Sequence, residues 1–143
     1  MNITNEDKDY MMSILYEYEE DRKPSLARRE HDVTLAKWSA HNRGNALCME
    51  TMGLNYYGGH VVKQNYDLAL FYMEHSGLRG NPRAMLYCGI ANTIGLGTDV
   101  NYDVAYWWLN RASCAGNEQA QELLNELNVF NPFINQSAQE IIA

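Results

Sequence analysis

Apolar residues recur along the chain at helical spacing, in blocks separated by glycine and asparagine. Between Ala46 and Tyr57, the residues Cys48, Met49, Met52 and Tyr56 fall at i, i+1, i+4 and i+8, positions that gather on one side of an α-helix. Gly58-Gly59 ends that run with a flexible turn. A second run holds Leu68, Ala69, Phe71, Tyr72 and Met73, with Asn65 or Asp67 as its side-chain cap and Gly77 and Gly80 as its stop. The plan then starts again. Pro82 lies in the first turn of the next helix, where its missing N–H costs nothing, and Gly95-Leu96-Gly97 makes the internal turn.

The two blocks are copies of one unit. At a shift of 36 residues, with no gap, residues 44–79 and 80–115 are identical at nine positions, among them Gly53/Gly89, Gly59/Gly95, Asn65/Asn101 and Ala69/Ala105. Elsewhere the residues match in kind: Phe71 with Trp107, Tyr72 with Trp108, Met73 with Leu109. The same shift carries Gly80, Asn81 and Ala84 onto Gly116, Asn117 and Ala120, so a third unit begins before the chain ends. A lone helical hairpin cannot bury its apolar face, and neighbouring units must stack. Gly53 and Gly89 fall mid-helix, where Gly costs about 1 kcal/mol against Ala. Close approach of a neighbouring helix accounts for them, with Phe71-Tyr72 and Trp107-Trp108 expected to supply the facing volume.

Outside the copies, residues 6–21 read as a helix with Asn5 as cap and Tyr10, Met11, Ile14, Leu15 and Tyr18 on its apolar side. Pro24-Ser25 breaks it, and Leu26 to Asn42 forms another. Glu17 stands where the mid-helix glycine would fall. Asn117 to Asn128 reads as a helix stopped at Asn131-Pro132, and Phe133 to Ala143 as a short capping helix or a tail. The expectation is a single all-α domain over 1–143. Residues 1–43 form a degenerate N-terminal helix pair, 44–79 and 80–115 are the repeats, and 116–143 are a C-terminal capping helix and tail.

With these residues in hand, the chain resembles the Sel1-like repeat family. Gly44-Asn45-Ala46, Met52-Gly53, Tyr56, Gly59, Asn65-Tyr66-Asp67, Ala69 and Phe71-Tyr72 look like its Ala-rich first helix, Leu-Gly pair, Tyr, Gly-rich turn and Ala-x-x-Trp second helix. The second unit is similar through Ala84, Cys88-Gly89, Gly95-Leu96-Gly97, Ala105 and Trp107-Trp108. The repeat length favours this family over tetratricopeptide repeats of about 34 residues. The unit departs from the pattern at His60-Val61, in place of a second turn glycine, and at Asn92, opposite Tyr56. The resemblance implies a short right-handed α-solenoid of about seven helices that works by binding proteins.

Charge sharpens that expectation. Residues 1–21 carry a net −6, residues 22–111 a net +3 and residues 112–143 a net −4. Both ends are acidic, which disfavours nucleic acid and suits a partner protein with a basic surface. No run reaches the ~18–20 apolar residues of a membrane helix, and the start lacks the basic and apolar stretches of a secretory signal, so a cytoplasmic protein away from membranes is expected. Cys48, Cys88 and Cys114 are too few and too scattered for a disulfide framework and read as buried free thiols.

No catalytic or metal-binding constellation emerges. His31, His41, His60 and His75 share no i, i+4 spacing, Gly95-Leu96-Gly97 has no Lys after it as a phosphate loop would, and no Ser lies in a GxSxG frame. No cofactor is called for, and the expected protein is not an enzyme. The candidate surface is the concave face lined by the leading helices, with Met11, Ile14 and Tyr18, then Leu47, Glu50, Leu54 and Tyr57, then Arg83, Leu86, Ile90 and Thr93, and last Gln119 facing a groove. An acidic stripe of Glu118, Glu122 and Glu126 closes one end. The leading reading is a protein–protein interaction module, an adaptor or regulator. The alternatives are an immunity protein or inhibitor that neutralises a toxin, effector or defence protein, and a hydrolase of the Sel1-like type. The groove itself has a competing reading, in which flanking helices or a second subunit fill it.

Overall fold

The structure, a computed structural model, describes residues 3–20, 26–59 and 61–126, with the side chains of 16–20 and 26–32 left out. Tyr18 as a groove residue, the stand-in role of Glu17, the Pro24-Ser25 break, His60 and the expected C-terminal element at 133–143 lie outside that description. Among the described residues there are seven helices: α1 (Asn5–Glu20), α2 (Leu26–Arg43), α3 (Ala46–Gly58), α4 (Tyr66–Leu78), α5 (Pro82–Ile94), α6 (Tyr102–Cys114) and α7 (Glu118–Glu126). No strand occurs among the described residues.

The repeat in sequence is a repeat in conformation. Helices α3 and α5, and α4 and α6, begin and end at positions 36 residues apart. Asn45 and Asn81 cap the first helices; Asn65 and Asn101, not the aspartates, cap the second, each accepting a bond from a first-turn N–H. Gly59 and Gly95 close α3 and α5 in the left-handed conformation, with φ of 66° and 79°. The link to the second helix is pinned by equivalent backbone bonds, Asn65 N–H to the Tyr56 carbonyl (3.0 Å) and Asn101 N–H to the Asn92 carbonyl (2.8 Å). Because a carbonyl makes that contact, Asn92 can stand opposite Tyr56 without altering the link. The other departure has a local reason too. Gly97 lies against the backbone of Tyr66 and Asp67, where no side chain would fit, whereas its counterpart Val61 packs against the apolar cluster shared by α2, Met49, Met52 and Tyr72.

Gly53 and Gly89 do face close neighbours, but other ones than the aromatic pairs. A Cβ on Gly53 would lie 2.8 Å from Met73 Cε, and one on Gly89 would lie 2.5 Å from Leu109 Cγ. Met73 and Leu109 are the same repeat position, so they, and not the aromatic pairs, fill the space opposite the glycines. Trp108 instead packs over Gly77. The first helix also differs in its cap: Thr4 and Asp7 bond reciprocally through side chain and backbone, a capping box one residue ahead of Asn5.

From α2 to α7 each helix packs on its successor. α1 breaks the rule: among the described residues its main helical neighbour is α5. Met11, Ile14 and Leu15 are buried in one core with Leu54 and Tyr57 of α3, Leu86 and Ile90 of α5, and Leu123 of α7. Every residue of α5 from Ala84 to Thr93 is therefore buried, as expected of a helix that is apolar all round. A smaller core joins Val33, Ala36 and Ala40 of α2 to Met49, Met52 and Tyr72, and His41 Nε2 lies 2.7 Å from the Tyr72 hydroxyl.

Candidate functional site

The residues expected on an open groove divide into three groups. Leu54, Tyr57, Leu86 and Ile90 are all buried, Leu86 and Ile90 completely. The expectation that they, together with Met11, Ile14 and Thr93, face an open groove is corrected: all are buried, and α1 shares their core, so the face built by the leading helices is already occupied. The sequence pattern showed the apolar side of α1 but not where that side docks, because local periodicity carries no information on long-range pairing. Leu47, at the start of α3, remains 68% exposed. Glu118, Glu122 and Glu126 are exposed along α7, and the Tyr10 hydroxyl of α1 reaches Glu122 Oε2 at 3.5 Å.

Glu50 and Arg83 meet each other. Arg83 Nη1 donates to Glu50 Oε1 at 3.3 Å, and Asn81 Nδ2 donates to Glu50 Oε2 at 3.0 Å. Asn81 also donates to Ser76 Oγ (2.9 Å), whose hydroxyl donates to the Ala46 carbonyl (2.6 Å). This network joins the two repeats. Breaking one partner would leave a buried carboxylate poorly compensated.

Among the described residues, the Tyr57 hydroxyl is the one buried side-chain polar atom that makes no hydrogen bond. Burial pushes its ionisation far above the ordinary phenol range, and Cys88 and Glu74 nearby add to the effect. Burial likewise raises Glu74, against the lowering influence of His75, and raises the Cys88 thiol. All three cysteines are free, but only Cys88 is buried; Cys48 is half-buried and Cys114 exposed. Among the described residues no group of three or more His, Cys, Asp or Glu could hold a metal ion, and no helix is long and apolar enough to cross a membrane.

This arrangement of stacked helix pairs matches solved structures. The Sel1 repeat protein from Oxalobacter formigenes superposes with a TM-score of 0.65 at 25% identity, over 85% of this chain and 34% of that one. A protective antigen present in uropathogenic Escherichia coli strains, displaying an SLR fold, gives 0.66 at 20% identity, over 87% of this chain and 28% of that one. The chain has the Sel1-like repeat fold. It spans about a third of the length of these two proteins. No family model matches the sequence, and no curated protein does.

Seen as Sel1-like repeats, the paired aromatics separate into two roles. Trp108, at the Trp of the Ala-x-x-Trp pattern, is 5% exposed, and its counterpart Tyr72 is also buried. The preceding residues, Phe71 and Trp107, are 49% and 45% exposed. Each is held by the residue four positions on, His75 at 4.4 Å from Phe71 and Arg111 at 4.6 Å over Trp107. Both members of each pair were expected to fill the core, but adjacent residues point about 100° apart, and on α4 and α6 the inward side is taken by Tyr72-Met73 and Trp108-Leu109, which leaves Phe71 and Trp107 at its edge.

Proposed function

We propose that this Sel1-like chain is a protein-binding module whose leading-helix face takes an amphipathic helix of a partner protein. One observation carries the reading: that face holds an amphipathic helix already, the chain's own α1, through Met11, Ile14 and Leu15. Fully burying an aliphatic side chain of this size contributes about 1.5–3 kcal/mol, so three anchors at helical spacing are a substantial recognition element. Leu54, Tyr57, Leu86 and Ile90 are the apolar floor of the site. Leu47, the Glu50–Arg83 pair and the Glu118–Glu122–Glu126 stripe form its rim, the stripe steering a basic region of the partner. The adaptor, regulator and immunity-protein readings differ in the partner's identity and share this surface.

Cross-linking mass spectrometry on a partner complex tests the proposal. Cross-links from the partner should fall on α3, α5 and α7. Cross-links confined to α2, α4 and α6 would refute it.

A further inference from the structure

The residues of α1 are set against their surroundings in a way that suits a replaceable occupant. Two observations bear on this, and both rest on the reading of the leading-helix face as a helix-binding site. The first is topological. Every other helix packs on its neighbour in sequence, while α1 packs on α5, four helices away. The repeats therefore complete their own hairpin stack without it, and α1 adds a cover.

The second observation is electrostatic. Helix α1 carries Glu6, Asp7 and Asp9 in its first turns and only Lys8 among bases there. A hydrogen bond to α7 runs from the Tyr10 hydroxyl, next to Asp9, to Glu122 Oε2 at 3.5 Å, in the exposed row Glu118, Glu122 and Glu126. The acidic start of α1 thus meets α7 at an acidic row, and like charges in proximity oppose docking. The apolar anchors fit the face; the charges do not. A helix with the same anchors and a basic flank would satisfy both.

We propose that α1 is a displaceable cis occupant, and that the natural ligand is a basic amphipathic helix which expels it. Five residues separate α1 from α2. Covalent attachment makes α1 an intramolecular competitor, so it excludes weak ligands while a helix with better charge complementarity still competes. The device makes access to the face conditional on partner strength, without any change in the repeats.

Fluorescence anisotropy with two synthetic peptides tests the proposal on the full chain. One peptide has the sequence of residues 3–20. The other keeps every apolar position but has Lys in place of Glu6 and Asp9. The proteins are the wild type and the double variant Met11→Asp/Ile14→Asp, whose α1 cannot dock. The variant should bind the first peptide at least ~10-fold more tightly than the wild type. The Lys peptide should bind the variant several-fold more tightly still, an advantage that shrinks at high salt.

Equal affinity of wild type and variant for the first peptide would overturn the gate while leaving the helix-binding face intact. Failure of a folded variant, checked by circular dichroism, to bind either peptide would overturn the face as well. Tighter binding of the acidic peptide than of the Lys peptide would overturn the basic ligand. Should the double variant not fold, Ile14→Ala supplies the same comparison: it should bind the first peptide several-fold more tightly than the wild type, and unchanged affinity overturns the gate.

Discussion

Gly53 and Gly89 occupy the same place in consecutive repeats, yet a methyl group added at each should have opposite consequences. At Gly53 the nearest atoms are Cε, Cγ and Sδ of Met73, at 2.8, 3.0 and 3.1 Å. Methionine is unbranched, and its end can move to another rotamer at small cost. At Gly89 the nearest atoms are Cγ and Cδ2 of Leu109, at 2.5 and 2.6 Å. The branch point of a buried leucine moves only by rotating the whole side chain about χ1 or by shifting α6, and the Ala105 carbonyl oxygen, 3.4 Å from the added methyl, closes the space further. Overpacking of a tight core costs about 1–3 kcal/mol, and the Leu109 geometry belongs in the upper part of that range. Replacing Gly by Ala inside a helix returns about 1 kcal/mol at either site. The net for Gly89→Ala is a loss of about 1–2 kcal/mol, and for Gly53→Ala a value near zero or slightly favourable. At about 2–4 °C per kcal/mol for a chain of this size, thermal unfolding should place Gly89→Ala several degrees below Gly53→Ala. Equal Tm values, or a rise for Gly89→Ala, would mean that the α5–α6 contact is not close-packed through Leu109.

The aromatic pairs predict a second asymmetry. Trp108→Ala should cost about 3–5 kcal/mol and Trp107→Ala at least ~2 kcal/mol less, because the former empties a core site over Gly77 and the latter trims an exposed ring; urea unfolding of both variants checks this. Tyr57→Phe should stabilise the fold by about 1 kcal/mol by removing an unpaired buried hydroxyl. An unchanged or lower urea midpoint would show that the hydroxyl does find a partner.

Much of the architecture was legible because it is local and repeated. The 36-residue match set the boundaries of α3 to α6, and Asn45, Asn65, Asn81 and Asn101 mark helix starts by chemistry that acts over three residues. The mid-helix glycines announced tight contacts, but not which side chain fills them; Met73 and Leu109 follow only from how the helices cross. The residues expected to form an open groove were misread in exposure. Leu54, Tyr57, Leu86 and Ile90 do lie with the leading helices, but the apolar stripe of α1 found them as its partners. Nothing in a one-dimensional pattern distinguishes a stripe that joins its neighbour from one that crosses to a helix far along the chain. Glu50 and Arg83 show the same limit: two charges expected to face the groove satisfy each other across the repeat junction.

Hydrogen exchange along the wild-type chain tests most directly the claim that α1 occupies the leading-helix face. An isolated helix of 16 residues is marginal in water, so strong protection of its amides must come from docking. Amides of residues 11–15 should exchange at least ~100-fold more slowly than in a free peptide of residues 3–20, as expected for a docked segment that opens only locally. Exchange of α1 at the free-peptide rate, with α3 to α6 still protected, would contradict the account.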